Sequence, residues 1–201
     1  NLLSCLVRYG DWAVPVGYKV IRKDLYYCDI KTKKAIRKAS VTKNEHFRDL
    51  VQQVCKNQIK FEYVLADNWF GSKDNMEYIH HELGKKFIFG LKANRLIALS
   101  EEARKKGQYQ NLNTLDLKDG EARKLWVKDL SLPVSLIKKV FKNENNSSGT
   151  LYLATNDLES STDRIYEIYQ KRWRIEEYHK SIKQNASLEK SPIKVVRSQK
   201  N

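Results

Sequence analysis

Cysteine is scarce in this sequence: Cys5, Cys28 and Cys55 are odd in number, widely spaced and without a C-x-x-C pair. That excludes a disulfide framework and argues against a cysteine metal site, so reduced, partly buried thiols in a cytosol are expected. No apolar run approaches the roughly 18 to 20 residues of a membrane span. No charged leader followed by an apolar stretch marks the chain for secretion. The histidines, including His80, His81 and His179, show no metal-ligand spacing. Internal repeats and low-complexity tracts are also missing. Acids are few beside bases, with 24 Asp and Glu against 38 Lys and Arg, which gives a formal net charge of +14.

The basic excess is uneven. From Lys19 to Lys43 there are nine basic residues and two acids, and from Lys190 onward four basic residues and none acidic. This is the electrostatic footprint of a nucleic-acid binder, although basic ribosome-associated proteins share it. Lys31-Thr32-Lys33-Lys34 and Arg37-Lys38 read either as a solvated loop or as phosphate contacts, which carry little sequence information. With 41% hydrophobic residues, a chain of this size buries about 70% of its unfolded surface, enough for one core.

The pattern predicts a helix from about Asp163 to Gln184, with Ile168, Ile175 and Ile182 as its apolar stripe. Tyr169, Arg172, Glu176 and Lys183 lie on the same helix, three, four and seven residues apart. At roughly 100° per residue they fall within a sector of about 60°. One acid among two cations and a phenol suits a metal ion and phosphates better than a hydrophobic core. The plainer alternative is a solvated face, in which Glu176 pairs with Arg172 or Lys180 for a few tenths of a kcal/mol.

The run Ile168-Tyr169-Gln170-Lys171-Arg172-Trp173-Arg174-Ile175-Glu176-Glu177-Tyr178-His179-Lys180 resembles the signature of DDE-class transposases of bacterial insertion sequences. The branch it resembles carries Y-x2-R-x3-E-x6-K, and all four residues are here in register. The resemblance implies that Glu176 is the last acid of a metal-binding carboxylate triad. It also implies that Tyr169, Arg172 and Lys183 hold the phosphate backbone at the transposon end.

Upstream, Glu62 to Ala66 reads as a short buried strand running into Asp67. Ser72 opens a helix through Met76, Ile79, His80 and Leu83, Gly84 stops it, and Lys86 to Leu91 is a further strand. An acid at the end of a central strand is where an open α/β sheet places a ligand-binding group. As an isolated residue, Asp67 also reads as an ordinary turn residue or helix cap. The stretch from Ala66 to Arg95 is similar to the second-carboxylate region of the same transposases. Their first carboxylate, on the first strand of the sheet, has no counterpart here. Leu2 to Arg8 already reads as the second strand, Gly10-Asp11 as a turn that accounts for Asp11, and Trp12 to Ile21 as the third strand.

The expected fold is therefore α/β: a ribonuclease-H-like mixed sheet with flanking helices, lacking its first strand. A capping box at Thr42 to Glu45 starts an amphipathic helix through Phe47, Leu50, Val51, Val54 and Cys55. Strands over Leu125–Lys128, Val134–Lys142 and Thr150–Ala154 fit a β-rich insertion before the last catalytic helix. The expected segments are 1–98 for the catalytic core, 99–158 for the insertion, 159–190 for the signature helix and 191–201 for a basic tail. Some relatives stack a flipped base on an aromatic of the insertion; in-register matching puts Leu151 there, beside Tyr152.

The resemblance implies DNA cleavage and strand transfer at insertion-sequence ends, an in-line displacement at phosphorus assisted by two Mg²⁺ or Mn²⁺ ions. Asp67 and Glu176 are the implied metal ligands, close enough to share the ion. Without a first acid the chain is expected to be a fragment, inactive alone. The implied partners are the terminal repeats and target DNA, with a homodimer on paired ends when full length, in the bacterial cytoplasm at the nucleoid and away from membranes. The alternatives are a catalytically dead DNA-binding remnant and a basic structural or RNA-associated protein.

Overall fold

A computed structural model describes residues 2–142 and 147–185. The expected basic tail at 191–201 lies outside these, as do residues 143–146 and 186–190. The chain divides into two compact units, one formed by residues 1–60 and 173–201, the other by Phe61–Arg172.

In the first unit, β1 (Leu2–Tyr9) and β2 (Trp12–Val20) form an antiparallel hairpin around Gly10, whose φ of 55° suits glycine. The strands β3 (Leu25–Cys28) and β4 (Ala35–Lys38) make a second, separate hairpin. Arg37 and Lys38, for which a solvated loop was one of two readings, lie in a strand, because Leu25-Tyr26-Tyr27 supplies a β-prone partner for Ile36-Arg37-Lys38. The helix α1 (Lys43–Lys56) begins with the expected capping box: Thr42 accepts from the Glu45 N–H, and the Glu45 carboxylate accepts from the Thr42 N–H. It buries Phe47, Leu50, Val51 and Val54. An ideal Cβ on Gly17 would lie 3.0 Å from the Leu50 side chain, so β2 and α1 meet closely there.

The second unit is built on β5 (Tyr63–Ala66), α2 (Lys73–Glu77) with a π-turn over Tyr78–Glu82, and β6 (Lys86–Leu91). There follow β7 (Leu96–Ala98), α3 (Glu101–Lys105), β8 (Gln110–Asn111), β9 (Ala122–Val127), β10 (Val134–Lys142), β11 (Ser148–Thr155) and α4 (Thr162–Gln170). Seven strands form one mixed sheet in the order β5-β6-β11-β10-β9-β7-β8; β5 and β6 are parallel, and β6 and β11 antiparallel. Phe87, Ile88 and Phe89 of β6 have no exposed surface, as a strand flanked on both sides and covered on both faces requires.

A mixed sheet with flanking helices is what the sequence led us to expect; several details differ. The strand β5, expected at the centre of the sheet, stands at its edge. The hairpin β1–β2 is a sheet of its own rather than part of that sheet. The strands of 99–158 extend the sheet of β5 and β6, and the two compact units divide at 60/61 and 172/173. β11 pairs with β6 through Tyr152–Thr155 and so brings the strands of 99–158 into that sheet.

The signature helix is not continuous. After α4 comes a 3₁₀ turn at Lys171–Trp173, then α5 (Arg174–Asn185). Ile165, Ile168 and Tyr169 are buried in α4, whereas among the described residues α5 buries none, Ile175 and Ile182 included. The step of about 100° per residue fails through the 3₁₀ turn, so the 60° sector calculated for one straight helix does not carry across it.

Candidate active site

Asp67 directly follows β5 and is exposed. Its Oδ1 accepts from the Trp69 N–H at 2.9 Å, and its carbonyl accepts from the Phe70 N–H at 3.2 Å. The Asn75 side-chain amide holds the Phe70 carbonyl at 2.9 Å, and Ser72 caps α2. Two buried glycines let this turn press on the sheet. A Cβ on Gly71 would stand 2.5 Å from the Gly90 carbonyl oxygen, and one on Gly90 would stand 2.9 Å from the Asn68 nitrogen. Cations surround the turn: an Arg95 guanidinium N–H donates to the Gly71 carbonyl at 2.9 Å, and the Lys92 ammonium lies 5.7 Å from the centroid of the exposed Trp69 ring.

Tyr169 is buried with Ile88, Ile137, Leu153, Ile165 and Ile168, and the Arg172 guanidinium lies 5.5 Å from its ring centroid. A contact of this kind contributes about 0.5–2 kcal/mol, most when desolvated. Glu176 is half-buried and Lys183 exposed, with His179 between them on α5. His179 sits against β1, where its Nε2 lies 3.1 Å from the Ser4 hydroxyl. Burial, then the Lys183 charge, lowers its pKa, while Glu176 opposes the shift. The neighbouring acid, Glu177, pairs with Arg174 at 2.8 Å.

The structure thus brings Asp67, Tyr169 and Arg172 into one unit, and Glu176 and Lys183 into the other. A carboxylate has about four lone-pair sites, of which the Trp69 N–H occupies one on Asp67. Both candidate acids offer the hard oxygen that Mg²⁺ prefers. Among the described residues, no group of three His, Cys, Asp or Glu side chains is gathered to hold a metal.

Residues 31–199 match the family described as Transposase DDE domain. The chain belongs to that family. No curated protein matches the chain. Membership makes it a domain of a polynucleotidyl transferase family that acts in DNA transposition, whose members generally use divalent metals. Among the described residues, no helix is long and apolar enough to cross a membrane.

Sequence reasoning missed a buried ionic cluster in this transposase domain. Asp157, 3% exposed, follows β11. Its Oδ2 accepts from the Tyr63 hydroxyl, from the Ser160 hydroxyl at 2.8 Å and from the Lys86 ammonium at 3.1 Å. Its Oδ1 accepts from the Glu159 and Ser160 N–H groups, both at 3.2 Å. Burial raises the Asp157 pKa, but the hydrogen bonds from Tyr63, Ser160 and Lys86 outweigh it and hold the carboxyl well below the usual range. The bond to Asp157 pushes Lys86 up in turn. These residues begin β5 and β6, and Asp157 precedes α4, so the cluster ties the start of the signature helix to the sheet. The legible signal was Asp157 with Ser160 three residues on, short polar side chains that favour local bonds.

Proposed function

We propose that this domain, when its carboxylate triad is complete, performs DNA strand cleavage and transfer at insertion-sequence ends on a ribonuclease-H-like core. Asp67 and Glu176 serve as carboxylate ligands for Mg²⁺ or Mn²⁺. The observation that carries the reading is the family match, which spans every residue of the Tyr169-Arg172-Glu176-Lys183 signature together with Asp67.

When bound, the divalent ions activate the attacking oxygen and stabilise the leaving one. The chain supplies the rest. Asp67 is presented by a turn whose backbone is fixed on β6. Arg172 and Lys183 hold phosphate oxygens in line for displacement, where an arginine fork gives orientation and a lysine a point charge. Tyr169, buried, is a positioning residue that acts through Arg172. The nucleophile is a water or a terminal hydroxyl; it forms a new P–O bond as the old one breaks, and the charge leaves on the departing 3′ oxygen. The partners in this reading are terminal repeats and target DNA, bound by two subunits on paired ends in the cytoplasm at the nucleoid.

A test uses the domain with its carboxylate triad complete, Mg²⁺ and a duplex carrying the element's ends. Nicking that Glu176→Gln and Asp67→Asn each abolish is the expected result. Tyr169→Phe, which keeps an aromatic face under Arg172, is expected to retain more activity than Tyr169→Leu. Nicking that persists in Glu176→Gln would refute the assignment. A second reading, a DNA-binding module without cleavage, draws on the basic surface of residues 19–43, which the site does not use. Tight, salt-sensitive binding with no nicking favours it.

A further inference from the structure

The β3–β4 hairpin stands as a two-stranded sheet on its own. Such a ribbon is marginally stable by itself in water. Leu25, Tyr26, Tyr27 and Ile30 are nonetheless 47, 66, 49 and 93% exposed. Tyr26 and Tyr27 fall on opposite sides of the ribbon, so apolar surface is open on both of its faces, of the kind that another molecule covers.

The hairpin is fastened at both ends by the two acids of the stretch. At its open end Asp24 accepts from the Ser40 N–H at 2.8 Å and from the Ser40 hydroxyl at 2.7 Å. Those bonds hold its carboxyl below the usual carboxylate value. At the turn, Asp29 Oδ1 accepts from the N–H groups of Lys31 at 2.8 Å and Thr32 at 3.2 Å, while Lys33 takes a φ of 52°. Both acids are thereby committed to closing the ribbon. Lys31, Lys33, Lys34, Arg37 and Lys38 all remain exposed. Arg37 pairs across the ribbon with Tyr26, its guanidinium 4.7 Å from the ring centroid.

A closed ribbon with cations along its tip and returning strand complements a polyanion. Duplex DNA has a major groove about 12 Å wide that admits a two-stranded β-ribbon. We infer that the β3–β4 hairpin is a DNA-gripping arm, with Lys31, Lys34 and Arg37 on phosphates of a duplex and Tyr26 packed in the groove. The inference rests on the reading of the protein as one that acts on DNA. It adds a contact surface that includes neither Asp67 nor the signature residues.

The full chain, titrated against a labelled duplex of arbitrary sequence at several salt concentrations, tests it by fluorescence anisotropy. Each phosphate contact contributes about 0.9 to the slope of log affinity against log salt. The Lys31→Gln, Lys34→Gln, Arg37→Gln triple variant is expected to lower that slope by about 2 to 3 and to weaken binding about tenfold or more at low salt. Lys34→Gln alone is expected to lower it by about one. A control triple, Lys105→Gln, Lys106→Gln, Lys118→Gln, removes equal charge from exposed positions elsewhere. It is expected to leave the slope nearly unchanged, as is Tyr26→Ala, which weakens binding severalfold. Circular dichroism verifies that each variant is folded. Equal losses in the two triples, or none in either, overturn the inference while leaving DNA binding intact. A wild-type chain with no affinity for the duplex overturns instead the reading beneath it.

Discussion

In the unit from Phe61 to Arg172, β6 alone contributes three residues without exposed surface, and Ile97, Leu125, Leu136 and Leu153 from four further strands add to them. In the unit of residues 1–60 and 173–201, the described hydrophobic core is Val7 with Phe47, Leu50, Val51 and Val54. The difference follows from strand partners: β6 has a neighbour on each side, whereas β1 and β2 have only each other. The signature divides along the same line. Tyr169 and Arg172 belong to the deeply packed unit; Glu176 and Lys183 ride on a helix with no buried residue among those described. Local stability follows burial, so the signature joins a firmly held half to a loosely held one. Hydrogen exchange should find the slowest amides in β6 and β11 and the fastest in β3, β4 and α5.

Substitutions sharpen this contrast. The largest effect is expected from Phe89→Ala, which empties a site of no exposure beside Phe87 and should cost about 3–5 kcal/mol in urea denaturation. A loss no larger than that of a surface change would break the contrast.

Asp157→Asn comes next, at about 1–3 kcal/mol near neutral pH, since it weakens a buried acceptor of several donors. Its pH dependence has a definite sign. The folded carboxyl sits below its unfolded value, so its contribution is complete above about pH 4 and is lost as pH falls further. Lys86 sits above its own, so its contribution holds at lower pH and is lost on the alkaline side of about 10. Acid titration of stability should therefore show the wild type and Asp157→Asn converging below about pH 4. Parallel curves would remove Asp157 from this role.

Gly90→Ala is expected to cost about 1–3 kcal/mol and to shift the Trp69 amide resonance, because the added methyl meets the Asn68 nitrogen. The smallest effect belongs to Thr42→Ala, about 1 kcal/mol from the lost cap. It should raise exchange in α1 and leave β6 and β11 unchanged; equal acceleration in both units would mean that they melt as one.

Much of the local structure was legible in the sequence. The Thr42 capping box, the Ser72 cap, the Gly84 stop and the strands over Lys86–Leu91 and Val134–Lys142 follow from side-chain chemistry within a few residues. What was not legible depends on contacts distant in sequence. The position of β5 at a sheet edge is set by which strands β6 accepts, and β11 lies some sixty residues further along the chain. The break in the signature helix has no proline or glycine to announce it: Lys171-Arg172-Trp173 is helix-compatible in isolation. For the site, the candidates Asp67 and the signature were legible by spacing and resemblance, whereas Asp157 was passed over because two of its partners, Tyr63 and Lys86, come from the starts of strands distant in sequence.

Asp67 owes its location to two absent methyl groups. At Gly71 and Gly90 backbone lies directly on backbone, with the Leu91 side chain packed alongside. The Asn75 amide and the Arg95 guanidinium pin the same turn through its carbonyls, so backbone contact and side-chain bonds hold the acid together, and either glycine, once replaced, would shift it directly.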